Sequence, residues 1–196
     1  MVHATPVVAA PQWVFGYGSL IYKVDFPWLE RRPARIHGWS RRFWQGSHDH
    51  RGTPERPGRV VTLVEEAGAS CAGMAYRVEP GVFAHLDHRE KNGYQRHLTG
   101  LQFSDGRRRQ GWIYLAAAGN PAWLGDAPDA VVARQILAAA GPSGRNHDYL
   151  LLLADALRAL GADDPHVFAI ERQVRAAAGA GISRAPLLHA RCGLPA

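Results

Sequence analysis

From Trp13 to Leu115, apolar and polar positions alternate in short runs with the period of strands. Six runs are predicted: Trp13-Val14-Phe15, Ala34 to Phe43, Arg59 to Val64, Cys71 to Val78, Tyr94 to Phe103 and Gly111 to Leu115. Ser104-Asp105-Gly106 joins the last two as a hairpin turn. After Pro128 the period changes to that of helices. Pro128 is expected as the first residue of a helix whose Val132, Ile136 and Leu137 share a face and which Gly141-Pro142 ends. Tyr149, Leu150, Leu153, Leu157 and Leu160 mark a second helix that Gly161 stops. A third is capped by Asp164, opens on Pro165 and buries Val167, Ile170 and Val174.

Strands first and helices afterwards imply an α+β fold rather than a doubly wound sheet. Six short strands with several glycines can close into a small mixed β-barrel with flanking helices, which leaves no sheet edge exposed. A chain of 196 residues with 46% hydrophobic content suits one core, hence a single domain. Its expected bounds are a flexible lead-in over 1–12, the domain over 13–175 and a tail over 176–196.

The net charge of +6 raises the question of a polyanionic partner. Lys23 and Lys91 are the only lysines, and the arginines are scattered, with the densest runs at Arg31-Arg32, Arg41-Arg42 and Arg107-Arg108-Arg109. A non-enzymatic polyanion-binding module is therefore the remote alternative, and no nucleic-acid partner is expected. Cys71 and Cys192 offer neither a disulfide framework nor metal-ligand spacing, which points to a reducing compartment. Residues 1–12 make a poor signal peptide, and no apolar run is long enough to span a bilayer. A cytoplasmic protein with no membrane partner is expected.

Four segments could carry chemistry. In "FGYGSLIYK" at 15–23, Gly16 and Gly18 fit either an ordinary turn or a loop that lets a ligand approach the backbone, whose N–H groups near Gly18 and Ser19 could cradle an anion. Neither a dinucleotide-binding nor a P-loop pattern is present. If residues 81–90 form a helix, Phe83, Leu86 and Glu90 share one face. Glu90 would then be either a half-buried carboxylate tuned towards general-base work or a helix-end carboxylate paired with Arg89 or Lys91.

His48, Asp49 and His50 lack further ligands at metal spacing, and a Ser19, His50, Asp49 triad lacks the nucleophile elbow and has its Asp and His pointing apart. In "GPSGRNHDY" at 141–149, Ser143 or Asn146 can cap the following helix, while Arg145 and that helix N-terminus could receive a carboxylate.

Taken in order, "VFGYGSLIYKVDFP" at 14–27, "RRFWQGSHDHRGTPERPGRVVTL" at 41–63, "LDHREKNGY" at 86–94 and "AAGPSGRNHDYL" at 139–150 resemble the ChaC-type glutathione-specific γ-glutamylcyclotransferases. The resemblance runs from Trp13 to about Arg175. It implies a γ-glutamylcyclotransferase-like β-barrel fold with a cavity, no metal and no organic cofactor, and cleavage of reduced glutathione to 5-oxoproline and cysteinylglycine. Another γ-glutamyl amine or amino acid is the alternative substrate, and a monomer is expected. The family's substrate-binding loop falls on Val14, Phe15, Gly16, Tyr17, Gly18 and Ser19, with Leu20 completing the match, and its proton-accepting glutamate falls on Glu90. Tyr22 stands where a tryptophan is usual, His88 where an aromatic is common, and Asn92 where a glycine precedes Gly93.

Overall fold

The computed structural model describes residues 10–90, 93–116 and 118–179. Lys91, Asn92, the first nine residues and most of the expected C-terminal tail, Cys192 included, lie outside the described residues.

Five strands form the closed barrel: β1 (Gln12–Gly16), β2 (Glu30–Ser47), β3 (Gly58–Val78), β4 (Tyr94–Phe103) and β5 (Arg108–Ala116). Their order is β1-β3-β2-β4-β5, and Val14 opposite Trp112 makes the single parallel contact that closes the ring. The sequence pattern predicts six strands because the polar stretch Glu65 to Ser70 reads as a loop. Instead β3 continues through it, pairing His37 with Ser70 and Trp39 with Glu65 across an irregular register. The extra residues of β3 at this point face Gly38, whose φ of 80° suits a glycine at a bulge. Long, bent β2 and β3 thus do the work of the shorter runs.

Four helices follow: α1 (Val82–Arg89) between β3 and β4, then α2 (Asp129–Ala138), α3 (Asn146–Ala159) and α4 (Pro165–Ala178). Pro128 sits one place before α2 rather than inside it, and α2 ends at Ala138 before reaching Gly141. A two-residue hairpin, β6 (Ala140–Gly141) with β7 (Gly144–Arg145), takes the chain into α3. Asp164 caps α4 as expected, accepting the Val167 N–H at 3.1 Å. The cap expected of Asn146 is absent. Its side chain is fully buried and clamps the backbone of Arg59, accepting from its N–H at 2.7 Å and donating to its carbonyl at 2.8 Å. Two backbone groups of β3 that no strand neighbour satisfies there acquire partners, and α3 is pinned to the barrel.

Two apolar clusters result. In the larger one the inward side chains of the barrel, such as Phe15, Ile36, Phe43 and Leu63, meet Val132, Ile136, Leu150, Leu153, Val167, Ile170 and Val174 from the helices. In the second, α1 lays Val82, Phe83 and Leu86 against Val14, Leu20, Met74, Tyr76 and Tyr114. Each such side chain is worth about 1.5–3 kcal/mol when fully buried. That packing fixes the end of α1, and so Glu90, beside the loop that leaves β1.

Arg41 is fully buried between these layers. Its Nε donates to the Tyr17 carbonyl at 2.6 Å, one Nη to the Ala72 carbonyl, and the other pairs with Asp164. A residue that reads in sequence as part of a basic run therefore ties the β1 loop, β3 and the α4 cap together. The other dense arginine runs are also engaged within the molecule: Arg31 with the Ile21 carbonyl, Arg32 with Glu30 and Asp105, Arg42 with Glu66 and Arg107 with Asp105. No helix among the described residues is long and apolar enough to cross a membrane.

Candidate active site

The end of the barrel where β1 finishes opens into a cavity of about 260 Å³. One wall is the loop after β1. Gly18 leads into a short 3₁₀ turn, Ser19–Ile21, whose first hydrogen bond runs from the Ile21 N–H to the Gly18 carbonyl at 3.0 Å. The N–H groups of Gly18, Ser19 and Leu20 precede that bond and so need partners from elsewhere. The loop is held from behind by Arg41 on the Tyr17 carbonyl and by the Tyr76 hydroxyl on the Leu20 carbonyl.

Phe15, Gly16, Tyr17, Gly18, Ser19, Leu20 and Glu90, all expected site residues, line this cavity. Val14 does not. Side chains alternate along a strand, so while Phe15 faces the barrel interior, Val14 faces the second apolar cluster under α1 and is fully buried there.

The two glycines do different things. A Cβ on Gly16 would come within 2.4 Å of the Leu20 Cβ, so this glycine lets the turn fold back on its own strand. A Cβ on Gly18 would meet the Tyr149 hydroxyl at 3.0 Å and a methyl of Val61 at 3.1 Å, both on the cavity wall.

Glu90 follows the last turn of α1, its N–H bonded to the Leu86 carbonyl at 2.9 Å, and its side chain is 20% exposed. Burial pushes its carboxyl above the usual range. The Arg89 guanidinium pulls the other way, and the charges of Asp25 and Asp49 add to the rise. Glu90 thus lines the cavity and is also paired, Arg89 Nε to Glu90 Oε1 at 3.3 Å, as the helix-end reading expects. Arg89 further donates to Asp25 at 2.6 Å and to the Ser19 hydroxyl at 3.0 Å, linking the acid to the loop opposite.

Ser19 is accordingly not part of a hydrolase triad. His50 shares a hydrogen bond with the Ser143 hydroxyl at 3.1 Å instead. The expectation that Asp49 and His50 point apart fails, since the loop curls enough to bring Asp49 Oδ2 to 3.7 Å from His50 Nε2. Among the described residues no group of three or more His, Cys, Asp or Glu side chains is gathered to hold a metal. Arg145, a candidate carboxylate receiver in the sequence, does not line the cavity, while Arg51 does.

A match to the family described as ChaC-like protein covers residues 12–177. The chain belongs to the ChaC-like family. Within it, Gamma-glutamylcyclotransferase 2-3 of Arabidopsis thaliana is 43% identical over 176 residues, covering 83% of this chain and 88% of that protein. Glutathione-specific gamma-glutamylcyclotransferase 1 of Rattus norvegicus is 42% identical over 168 residues, covering 81% and 76%. A crystal structure of a γ-glutamylcyclotransferase specific to glutathione from yeast matches this fold with a TM-score of 0.79 at 30% identity, over 85% of this chain and 96% of that one.

Several residues that line this ChaC-like site carry no sign of that place in the sequence. Tyr94, Tyr114 and Tyr149 form much of the cavity wall, and Asp25, Asp49 and Arg51 its charged parts. Burial pushes all three tyrosine hydroxyls up, that of Tyr149 to about 12, so they stay neutral hydrogen-bonding groups. Tyr149 fits a helical apolar repeat, and nothing in that repeat separates a core position from a cavity wall.

Proposed function

We propose that this protein is a glutathione-specific γ-glutamylcyclotransferase that converts reduced glutathione to 5-oxoproline and cysteinylglycine. One observation carries the reading: a carboxylate raised by burial, Glu90, opens on the same cavity as the start of the Gly18–Ser19 turn, whose first N–H groups precede the turn's own hydrogen bonds. The 42% identity to a relative named for this activity supports it.

In this reading the α-amine of the γ-glutamyl group attacks its own side-chain amide carbonyl. The new C–N bond closes a five-membered ring, and the bond to the cysteine nitrogen breaks. Only a neutral amine can attack, and a free α-amine has a pKa of about 7.7–8.0, so most of it is protonated at neutral pH. Glu90 takes that proton and delivers it to the departing nitrogen of cysteinylglycine. The freed carboxylate then accepts the second proton that the attacking nitrogen sheds on becoming the ring amide and passes it to the product amine or solvent. Its elevated affinity for protons suits both steps, since a carboxylate of ordinary acidity would be a poor donor to the leaving group.

The amides of Gly18 and Ser19 face the oxygen that gains negative charge in the tetrahedral intermediate; one such donor is worth roughly 2.7–4 kcal/mol. Holding amine against carbonyl adds effective molarities of about 10⁵–10⁸ M. The remaining residues of the loop, Phe15, Gly16, Tyr17 and Leu20, shape the wall, and Val14 supports it from the far face of β1. The reaction as written uses no metal or cofactor, and the proposed working form is a cytoplasmic monomer.

Incubating purified protein with glutathione, without added metal, tests this directly: mass spectrometry should find 5-oxoproline and cysteinylglycine in equal amounts. A panel containing γ-glutamyl-alanine and a γ-glutamyl amine tests specificity, and a preference for either over glutathione would overturn it while leaving the mechanism.

A further inference from the structure

The cavity has a buried end and an open end. Tyr17, which is buried, and Glu90, whose side chain is 20% exposed, belong to the first; His50 and Asp49, with side chains 57% and 43% exposed, belong to the rim. Arg51 lines the cavity next to His50, on the connection from β2 to β3, and three contacts hold it. Its N–H donates to the Ser47 hydroxyl at 2.9 Å, its Nη1 to the Arg145 carbonyl at 3.1 Å, and its guanidinium lies 5.7 Å from the centre of the Tyr149 ring. Gly144, at φ 101°, leaves room for it: a Cβ there would sit 3.3 Å from Nη1.

What distinguishes Arg51 is its charge balance. Arg89 is committed to Asp25 and Glu90, and Arg41 to Asp164. Among the described residues no carboxylate pairs with Arg51, and its Nε and second Nη make no hydrogen bond. A tethered guanidinium with two donors left over, on a cavity wall and stacked on an aromatic ring, is built to take a carboxylate as a fork. Lys23 also lines the cavity, but it follows the Ser19 turn and belongs to the glutamyl side.

We infer that Arg51 receives the C-terminal carboxylate of the departing dipeptide, the glycine end of glutathione; this rests on the cyclotransferase reading above. The reacting amine must lie by Glu90 at the buried end, so the leaving portion extends towards the rim, where Arg51 waits. The site thereby selects a γ-glutamyl dipeptide with a free C-terminus over γ-glutamyl amines, which carry no carboxylate to reach this arginine.

Glutathione and its glycine monoethyl ester differ in that one charge and in the ethyl group that caps it. With the wild-type protein, kcat/KM for glutathione should exceed that for the ester by about 10-fold or more. Arg51→Gln should lose a similar factor on glutathione, mainly in KM, and little on the ester, so that discrimination collapses to about 2-fold or less; Arg51→Lys should fall between. Equal losses on both substrates, or undiminished discrimination in Arg51→Gln, would overturn the inference. The same comparison made by calorimetric binding in a Glu90→Gln background, with and without Arg51→Gln, needs no turnover. Absence of wild-type turnover would therefore count against the cyclotransferase reading alone, while loss of preferential binding to the free acid on Arg51→Gln would still uphold Arg51's role, and no such loss would reject it.

Discussion

Arg89 and Glu90, neighbours at the end of α1, form an ion pair on the cavity wall, with Nε and Oε1 3.3 Å apart, while the other nitrogens of the same guanidinium reach Asp25 and Ser19. A single arginine thus tempers the rise that burial gives the proposed base and holds the loop it works against. Removing it should show up in pH dependence as well as in rate.

Arg89→Gln takes away the positive charge that holds Glu90 down, leaving burial and the charges of Asp25 and Asp49 to raise it further. A base works only when deprotonated, so the acidic limb of the kcat/KM profile should move to higher pH. Arg89→Lys should restore part of the shift. A profile that falls in height with an unmoved limb would mean that Arg89 acts only on the loop.

Glu90 also links stability to pH. Its folded pKa lies above the roughly 4.3 of a free glutamate, so the folded protein holds this proton more tightly than the unfolded chain. The stabilisation this gives is complete below the unfolded value and is lost as the pH rises through the folded one. Glu90→Gln, which stays neutral, should melt at the same temperature as wild type near about pH 4 and increasingly above it by about pH 8. Melting curves across that range check the sign.

The two glycines of the loop should separate. Gly16→Ala places a Cβ 2.4 Å from the Leu20 Cβ. Overpacking of this kind costs about 1–3 kcal/mol, a fall of several degrees in Tm for a chain of this size. Gly18→Ala meets the Tyr149 hydroxyl and Val61 at 3.0–3.1 Å, contacts that a small shift relieves at the expense of the cavity. It should lose at least about tenfold in kcat/KM while Tm changes little. Thermal melts and turnover measured on both variants distinguish the roles.

Arg41→Met should be the most destabilising of these changes. It leaves the Asp164 carboxylate without its partner and frees the carbonyls of Tyr17 and Ala72. Breaking a buried pair from one side costs about 3–5 kcal/mol. Urea unfolding of Arg41→Met and Asp164→Asn measures it, and the first should lose more, because Arg41 serves three elements and Asp164 two.

Helix positions were legible in the sequence because Leu150, Leu153 and Leu157, or Val167, Ile170 and Val174, repeat at one period inside one element. The cap at Asp164 was legible for the same local reason. Strand lengths were not. Whether Glu65 to Ser70 is loop or strand depends on β2 lying alongside, a pairing no window of β3 contains. Glu90 and the Gly16 to Ser19 loop stood out through their residue types, and the family resemblance joined them. Arg41, Asn146 and Arg51 were illegible for a common reason: their roles lie in partners 123, 87 and 94 positions away in sequence. An arginine paired across the fold looks like any other arginine.

The most direct test of the central claim is single-turnover release of 5-oxoproline from glutathione by wild type and Glu90→Gln, with near-ultraviolet circular dichroism confirming that both are folded. The wild type should release 5-oxoproline, and the variant should lose about 10²–10⁴-fold in rate. Release by Glu90→Gln within a few-fold of wild type would contradict the claim.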